Sequence, residues 1–354
     1  MSKIKIAIVG VGSISGVHIK SYLALPDDYE LYAFCDINEA RLKAKGEKYG
    51  VTRLYTDEAE MLSALPEIDA VDVCTWNAAH TPCAIMALNA GKHVFCEKPM
   101  AMTAEEAIEM KEAADRNGKL LMIGFVRRFG RDCDILKDFV NGGTLGDIYY
   151  AKAHYLRRNG NPGGWFGNTA LSGGGPLIDL GVHVIDLARY VMGNKKPVSV
   201  YGVTYKKLGN RPNIKGSKAY VSAGAGNADI CDCEDLASAL IRFEDGSVIS
   251  VEASFSLNIE KDEGKLEFFG DKGGAKLDDK LTVFTDMNGY LVNVALNGDS
   301  GFVFDKSFRD ELKNFADAIN GKAECRNPAE DGIEMMKILR AVYKSAELGH
   351  EVIL

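Results

Sequence analysis

The sequence predicts an α/β protein in which a doubly wound parallel sheet is followed by an α+β domain with an open, mainly antiparallel sheet. Up to residue 124, short apolar runs rich in β-branched residues alternate with helical patterns, and repeated strand–helix units build a parallel sheet. Beyond this point several strand patterns follow one another without an intervening helix, which favours antiparallel pairing. We therefore predict domains over residues 1–124 and 125–354, with C-terminal helices that can pack back on the first domain.

Each element is predicted from its apolar pattern and from the turn residues that bound it. The first domain has strand patterns at 4–9, 31–35, 70–75, 92–95 and 120–123, with helical patterns at 16–25, 38–49, 57–65, 80–90 and 103–117. The second domain has strand patterns at 147–156, 198–206, 236–243, 247–257, 265–269, 275–278, 281–285 and 290–294, with helices at 132–141, 176–191, 306–320 and 328–348. Segment 208–231, rich in Gly, Asn, Ser and Ala, is predicted to be a long loop.

The first strand ends in a glycine-rich turn, Gly10-Val11-Gly12-Ser13-Ile14-Ser15-Gly16, and the second strand ends at Asp36. Gly10 suits the tight turn and Gly12 lets the backbone approach a pyrophosphate, while the helix N-terminus behind them offers free N–H groups. Asp36 can accept hydrogen bonds from both ribose hydroxyls and repels a 2′-phosphate, so the unit predicts a Rossmann domain that binds NAD rather than NADP. Because Ser15 replaces the third glycine, the alternative is a glycine turn in an unrelated α/β domain.

Composition excludes several classes of partner. The net charge is −8 and no long lysine or arginine run occurs, which disfavours nucleic acid and anionic membranes. No apolar run approaches the ~20 residues that span a bilayer, and the first residues form a core strand rather than a cleaved signal peptide.

The eight cysteines are scattered, and Cys35, Cys74 and Cys96 fall in apolar strand-like runs, as in a reducing, cytoplasmic setting. The segment Cys231-Asp232-Cys233 lacks the second ligand pair of a zinc site, so we expect no metal.

Two segments carry candidate chemistry. Glu97-Lys98-Pro99 follows a strand directly, and strand ends in this fold face the cofactor. Lys98 can therefore point into the cleft, where a cationic nicotinamide is expected to lower its pKa; the alternative is a surface lysine in a turn.

The second segment runs from Gly173 to Asp186 and forms a helix from Pro176 onwards, with Asp179 and His183 four residues apart on one face and Asp186 on the same face. The other faces are apolar, so this polar stripe is either functional or a hydrogen-bonded structural pair. His183 is the histidine best placed to be a general base, because a carboxylate lies one helical turn away on a buried face. His18, on the first helix, is expected to be partly exposed.

Together these motifs resemble the Gfo/Idh/MocA oxidoreductase family, and the resemblance runs over nearly the whole chain. It includes Gly-Lys-His-Val-Phe-Cys before Glu97 and the run from Gly124 to Phe129. The resemblance implies that Lys98 touches substrate and nicotinamide, that Asp179 binds substrate and that His183 relays the proton. It implies cofactor contacts at Gly10, Gly12, Ser13, Ile14, Asp36, Thr75, Trp76, Asn77, His80, Glu97, Lys98 and Arg128. Trp76 departs from the small residue or proline expected there.

The resemblance also implies a homo-oligomer, a dimer or tetramer, formed through the outer face of the second sheet. The segment 154–166 is similar to members that act on glycosides and anhydrosugars. Trp165 is a candidate to stack on a pyranose ring, with loop packing as the alternative. The candidate substrate-binding residues are Lys98, Tyr155, Arg157, Arg158, Trp165, Asp179 and His183.

Three functions are therefore open. The first is an NAD-dependent dehydrogenase that oxidises a secondary hydroxyl of a sugar, glycoside or cyclitol by hydride transfer to nicotinamide. The second is a redox-neutral enzyme whose tightly bound NAD oxidises a sugar transiently and permits elimination or glycosidic cleavage. The third is a non-catalytic NAD sensor, against which the presence of Lys98, Asp179 and His183 argues.

Overall fold

A computed structural model describes residues 2–211, 213–215, 220–222, 230–298 and 300–354. The chain forms two compact units. The first contains the chain up to Val126 and residues 304–336, and the second contains residues 127–303 and 337–354. The C-terminal segment is thus divided between the two units.

The first unit is built on a six-stranded parallel sheet with the order β3-β2-β1-β4-β5-β6. This is the strand order of a dinucleotide-binding domain, and it confirms the predicted doubly wound sheet. The strands are β1 (Ile4–Val9), β2 (Tyr29–Cys35), β3 (Leu54–Tyr55), β4 (Ala70–Val73), β5 (His93–Glu97) and β6 (Leu121–Gly124). The helices are α1 (Ser15–Leu23), α2 (Glu39–Tyr49), α3 (Glu58–Ala64), α4 (Asn77–Asn89) and α5 (Ala104–Arg116).

The strands of this sheet read as continuous apolar runs because helices cover both faces of the sheet. Ile6, Ile8 and Val71 are completely buried. The long helix α9 (Phe304–Ile319) belongs to the same unit, and Tyr29 at the start of β2 donates its hydroxyl hydrogen to the Leu312 carbonyl at 2.6 Å.

The second unit is built on a nine-stranded sheet with the order β14-β13-β12-β11-β7-β10-β9-β8-β15. Only the β7–β10 pair is parallel among the described strand pairs of this sheet, which confirms a mainly antiparallel sheet. The strands are β7 (Ile148–Leu156), β8 (Pro197–Tyr205), β9 (Leu236–Phe243), β10 (Val248–Ser254), β11 (Glu263–Gly270), β12 (Gly273–Leu277), β13 (Leu281–Met287), β14 (Tyr290–Ala295) and β15 (Val352–Ile353).

The second unit also contains helices. They are α6 (Arg131–Asn141), α7 (Thr169–Ser172) and α8 (Val182–Val191), and the last is preceded by a π-helical turn at Leu177–Gly181. An added Cβ at Gly181 would lie 3.4 Å from the Cβ of Ala253 on β10, so this glycine permits close packing of the π turn on the sheet. Helix α10 (Ala329–Leu348) begins in the first unit and ends in the second.

Residues 212, 216–219 and 223–229 of the predicted loop 208–231 lie outside the described residues. Its described residues belong to no helix or strand. Among the described residues, every helix is too short or too polar to cross a membrane.

Candidate active site

The glycine turn after β1 has the geometry of a phosphate-binding loop. Gly10 has a φ of 88°, and a Cβ added there would lie 2.8 Å from the Cys74 backbone, so only glycine fits. A Cβ added at Gly12 would meet no atom within 4 Å, which leaves the backbone open to a close ligand. Ser15 is buried and donates its hydroxyl hydrogen to the Gly12 carbonyl at 2.9 Å, so it replaces the third glycine within the turn.

Asp36 lies beside this turn at the end of β2 and is almost completely buried. One of its carboxylate oxygens accepts the Val11 N–H and the other accepts the Asn38 N–H, each at 2.8 Å. Oδ2 also lies 3.5 Å from the Arg41 guanidinium, and the remaining lone pair of Oδ1 can accept a hydrogen bond from a ribose hydroxyl. The turn and this acid together fit a dinucleotide.

Lys98 follows the carboxyl end of β5 in a loop that is held from two sides. Glu97 accepts the backbone N–H of Lys98 on Oε2 at 3.0 Å. His80 of α4 lies on the other side, with its Nδ1 2.7 Å from the Pro99 carbonyl and its Nε2 3.2 Å from the Thr75 carbonyl. Burial lowers the pKa of His80, so the ring is neutral at pH 7 and its N–H serves the nearer Pro99 carbonyl.

Two predicted cofactor residues, His80 and Glu97, are buried behind the Lys98 loop. The His80 ring is 1 % exposed and both of its nitrogens face backbone carbonyls, so it braces the Lys98 loop. Glu97 is also buried, and its carboxylate faces protein donors. Trp76 precedes α4 as its N-cap and is partly exposed, and Asn77 is the buried first residue of that helix.

The expectation that His18 is partly exposed is wrong, because α1 directs this side chain onto the sheet. His18 is fully buried, with Nδ1 2.8 Å from Asp72 on β4 and Nε2 2.9 Å from Glu97 on β5. Sequence reasoning missed this cluster. The available signal was Asp72, since an acid within the apolar run of β4 needs a buried partner.

In the second unit, the Asp179–His183 pair lies on an otherwise buried segment. From Gly174 to Arg189, a stretch that the structure describes in full, every residue is buried except Asp179 and His183, which are partly exposed. These two side chains are therefore the ones through which this segment meets solvent or a ligand.

The amino end of the segment is held by a buried carboxylate. Glu234 accepts the backbone N–H groups of Gly175 at 3.0 Å and Leu177 at 3.2 Å, and it accepts the Tyr343 hydroxyl at 2.8 Å. A Cβ added at Gly175 would lie 2.6 Å from the Glu234 carbonyl oxygen, which explains one glycine of the Gly173–Gly175 run.

Asp186 and Arg128 form a buried ion pair, which corrects the prediction that Asp186 shares the face of Asp179 and His183. Arg128 Nε lies 2.9 Å from Asp186 Oδ2 and its Nη2 contacts Oδ1, and both side chains are buried. The guanidinium also lies 4.7 Å from the centre of the Tyr190 ring. The Arg128 guanidinium is thus engaged in a buried ion pair within the second unit. Asp186 does not reach the exposed face, because the wider π turn rotates the later residues relative to an ideal α-helix.

The predicted substrate residues cluster around the end of β7. Tyr155 packs against the buried group of Leu180, Cys233 and Phe255, which includes a residue of the π turn itself. Arg157 donates from Nη1 to the Gly160 carbonyl at 3.1 Å, and Arg158 is exposed and donates to the Glu260 carbonyl at 2.8 Å.

Trp165 lies in the loop that follows. Its ring stacks on the Phe166 ring with centroids 4.0 Å apart and an interplanar angle of 23°. This contact gives Trp165 a packing role, and Trp165 itself is partly exposed.

Comparison with known proteins identifies the family. The model of the oxidoreductase family with an NAD-binding Rossmann fold matches residues 4–125, and the model of its C-terminal alpha/beta domain matches residues 137–354. The chain belongs to the Gfo/Idh/MocA oxidoreductase family. As in other members, its Rossmann unit binds NAD, and it is an NAD-dependent oxidoreductase.

Curated relatives are similar to this chain over nearly its whole length. D-glucoside 3-dehydrogenase of Escherichia coli is 37% identical over 353 residues, covering 99% of this chain and 97% of the relative. Myo-inositol 2-dehydrogenase of Thermotoga maritima is 30% identical over 354 residues, covering 97% and 96%. A solved levoglucosan dehydrogenase in complex with NADH has the same fold, with a TM-score of 0.87 at 23% identity over 99% of both chains.

Proposed function

We propose that this dehydrogenase oxidises a secondary hydroxyl of a sugar, a glycoside or a cyclitol, and that glycosides are its preferred substrates. The observation that carries the proposal is the exposure of Asp179 and His183 alone on the buried segment from Gly174 to Arg189. A carboxylate and an imidazole on one exposed face can bind a hydroxyl and remove its proton. The similarity to D-glucoside 3-dehydrogenase, together with the 154–166 segment, favours glycosides.

The roles follow from the chemistry of each side chain. An imidazole nitrogen of His183 takes the hydroxyl proton as the C–H bond breaks, and Asp179 binds the substrate and orients the imidazole. Lys98 supplies a cation that stabilises the negative charge that develops on the substrate. When bound, NAD supplies the nicotinamide C4 that accepts the hydride.

The cofactor is held by the glycine turn and by the ends of neighbouring strands. Backbone N–H groups of residues 12–14 meet the pyrophosphate, since those of Gly10 and Val11 donate to Cys35 and Asp36, and Asp36 accepts the ribose hydroxyls. Thr75, Trp76 and Asn77 follow β4 and contact the nicotinamide half. His80 and Glu97 act behind Lys98 by holding its loop.

The substrate residues of the second unit are Tyr155, Arg157, Arg158 and Trp165. Trp165 is stiffened by Phe166 and presents an aromatic surface of the kind on which a pyranose ring stacks. The two arginines supply N–H donors for ring hydroxyls.

The test is a substrate screen that follows the appearance of NADH. Purified enzyme is incubated with NAD and with hexoses, alkyl and aryl glucosides, anhydrosugars or inositols. NADH formation is expected with at least one glucoside, with a higher kcat/KM than with the free hexose. Product formation without net NADH points to the redox-neutral alternative, and activity confined to inositols overturns the glycoside preference.

Two further properties belong to the same proposal. The exposed side chains Tyr201 and Leu240 are paired across β8 and β9 on the outer face of the second sheet, which supports a homo-oligomer formed through this face. Light scattering of the protein and of Leu240→Lys tests this, since the variant is expected to have the smaller mass.

All eight cysteines are free thiols, which suits a cytoplasmic location.

A further inference from the structure

The buried histidine of α1 connects two acids that lie in different strands. Nδ1 of His18 faces Asp72 Oδ2 at 2.8 Å, and Nε2 faces Glu97 Oε1 at 2.9 Å. Glu97 uses its other oxygen, Oε2, to accept the backbone N–H of Lys98 at 3.0 Å. An unbroken series of hydrogen bonds thus leads from the middle of β4 through His18 to the Lys98 loop.

We propose that His18 is a positioning residue that fixes the Glu97 carboxylate and, through it, the backbone of Lys98. The inference rests on the proposed role of Lys98 and adds the group that keeps this lysine in place. Without a donor at Nε2, the Glu97 carboxylate would be buried with a missing partner and would turn away from the Lys98 N–H. A displacement of about 1 Å at a catalytic group can lower a rate ~100-fold.

The charges around the ring favour this arrangement. Burial is the largest single influence and lowers the pKa of His18, but Asp72 and Cys74 together outweigh it, so the pKa is raised well above 6.5 and both ring nitrogens carry protons. His18 in turn helps to lower the pKa of Glu97 despite its burial, so that residue is a carboxylate. The Tyr22 hydroxyl, which donates to Asp72 at 3.1 Å, and the Cys74 thiol also face this network, and Lys98 and His80 act on the Glu97 carboxylate.

Two aromatic rings also pack against His18. Phe95 of β5 and Phe308 of α9 each lie with their ring centroids 5.5 Å from His18. They exclude water from the imidazole, which strengthens its hydrogen bonds to the two carboxylates.

A metal site is the competing interpretation, since donor atoms of His18, Asp72 and Cys74 lie within 4.8 Å of one another. The separation of 2.8 Å between Nδ1 and Oδ2 is that of a hydrogen bond. Two ligands about 2.0 Å from one tetrahedral zinc ion lie roughly 3.3 Å apart. Burial also raises the pKa of the Cys74 thiol, so the thiol stays protonated and donates a hydrogen bond to Asp72 at 3.3 Å.

Two substitutions of His18 separate its two hydrogen bonds. The amide nitrogen of His18→Gln replaces Nε2 and can still donate to Glu97, whereas that of His18→Asn replaces Nδ1 and reaches only Asp72. We expect His18→Asn to lower kcat on the order of 10- to 100-fold with little change in Kd for NAD, and His18→Gln to recover most of this loss. His93→Gln, a substitution of the histidine at the opposite end of β5, is the control and should keep full activity.

A double-mutant cycle tests whether His18 acts through Glu97. If it does, His18→Asn in combination with Glu97→Gln loses no more activity than the worse single variant. The proposal is overturned if the losses of activity in His18→Asn and Glu97→Gln multiply in the double variant. It is also overturned if His18→Asn and His18→Gln lose equal activity. If Lys98→Met is fully active, the proposed function fails instead, whatever the outcome of the cycle.

A measurement on the unaltered enzyme avoids variants that fail to fold. Nitrogen NMR of ¹⁵N-histidine-labelled protein reports the protons on each ring nitrogen. The proposal requires a proton on Nε2 of His18 at pH 7.5, and an unprotonated Nε2 overturns it.

Discussion

The guanidinium of Arg128 and the carboxylate of Asp186 form a two-point ion pair from which solvent is excluded. Breaking a buried ion pair by removing one partner typically destabilises a protein by about 3–5 kcal/mol. We predict a loss of this size in the free energy of unfolding of Arg128→Met, measured by urea denaturation.

The double variant Arg128→Met with Asp186→Leu is the matched control, and it should recover much of the loss because neither charge remains. NAD affinity, measured by calorimetry on folded Arg128→Met, should be unchanged. A selective loss of NAD binding with normal stability would return Arg128 to the cofactor site.

Glu58, at the start of α3, makes stability depend on pH. Burial raises the pKa of its carboxyl to about 7, and the Cys83 thiol offsets part of this rise. The folded protein therefore holds a proton that the unfolded chain releases near pH 4.5, and the free energy of unfolding falls as the pH rises from about 4.5 through 7. Because Glu58→Gln stays neutral, it should be more stable than the parent at pH 8, by about 2–3 kcal/mol, and equal to it at pH 4.

Thermal unfolding of both proteins between pH 4 and pH 8 measures this difference. Glu60→Gln changes an exposed carboxylate two residues further along the same helix and should give no pH-dependent gap. A difference in stability between Glu58→Gln and the parent that is equal at pH 4 and pH 8 would contradict this explanation.

Asp36 should determine the preference for NAD. Its buried carboxylate repels the 2′-phosphate of NADP, so the parent enzyme should have the higher kcat/KM with NAD. Asp36→Ser removes the charge and keeps a hydroxyl. It should raise the KM for NAD and bring the kcat/KM values for NAD and NADP closer together. Arg41, whose guanidinium lies 3.5 Å from Asp36, is available to meet the phosphate in this variant. A parent enzyme that prefers NADP would remove Asp36 from its assigned role.

Features that depend on a few neighbouring residues could be predicted from the sequence. The glycine turn, Asp36 at the end of β2 and the alternation of strands with helices follow from local patterns. The two-residue strands β3 and β15 were missed because such short pairings leave no periodic signal.

Contacts between distant parts of the chain could not be predicted in this way. The partners of His18 are 54 and 79 residues away, and those of Arg128 and Asp186 are 58 residues apart. The π turn before α8 also lies outside a periodic pattern, and it separates Asp186 from the Asp179–His183 face.

Lys98 should be essential for turnover and not for cofactor binding, because the glycine turn and Asp36 supply the contacts at the other end of NAD. Lys98→Met keeps the length of the side chain and removes its charge, and we expect no measurable NADH formation with a Kd for NAD within a few-fold of the parent. Calorimetry and the rate assay separate these quantities. Lys111→Met, which changes a lysine on α5 of the same unit, is the control. Substantial activity in Lys98→Met would refute the assignment.

His183 should act as the general base, and its replacement tests the proposed function most directly. His183→Asn keeps a polar side chain on the partly exposed face while removing the basic nitrogen, so folding and NAD affinity should be retained. The rate should fall roughly 100- to 10,000-fold, the usual range for loss of a general base. The kcat/KM of the parent should decline at low pH, where a protonated imidazole cannot accept the substrate proton, and this limb should disappear in His183→Asn.

Asp179→Asn complements the His183 experiment. It preserves the shape of the side chain and removes the charge beside the imidazole, so it should move the acidic limb of kcat/KM instead of abolishing it. An unchanged rate in a folded His183→Asn variant would make the Asp179–His183 pair a structural feature of the segment. We expect both variants to fold, because Glu234, which holds the start of this segment, is intact in both. Circular dichroism and NAD calorimetry on each variant check that folding and NAD binding are retained, so that a lower rate reflects lost chemistry.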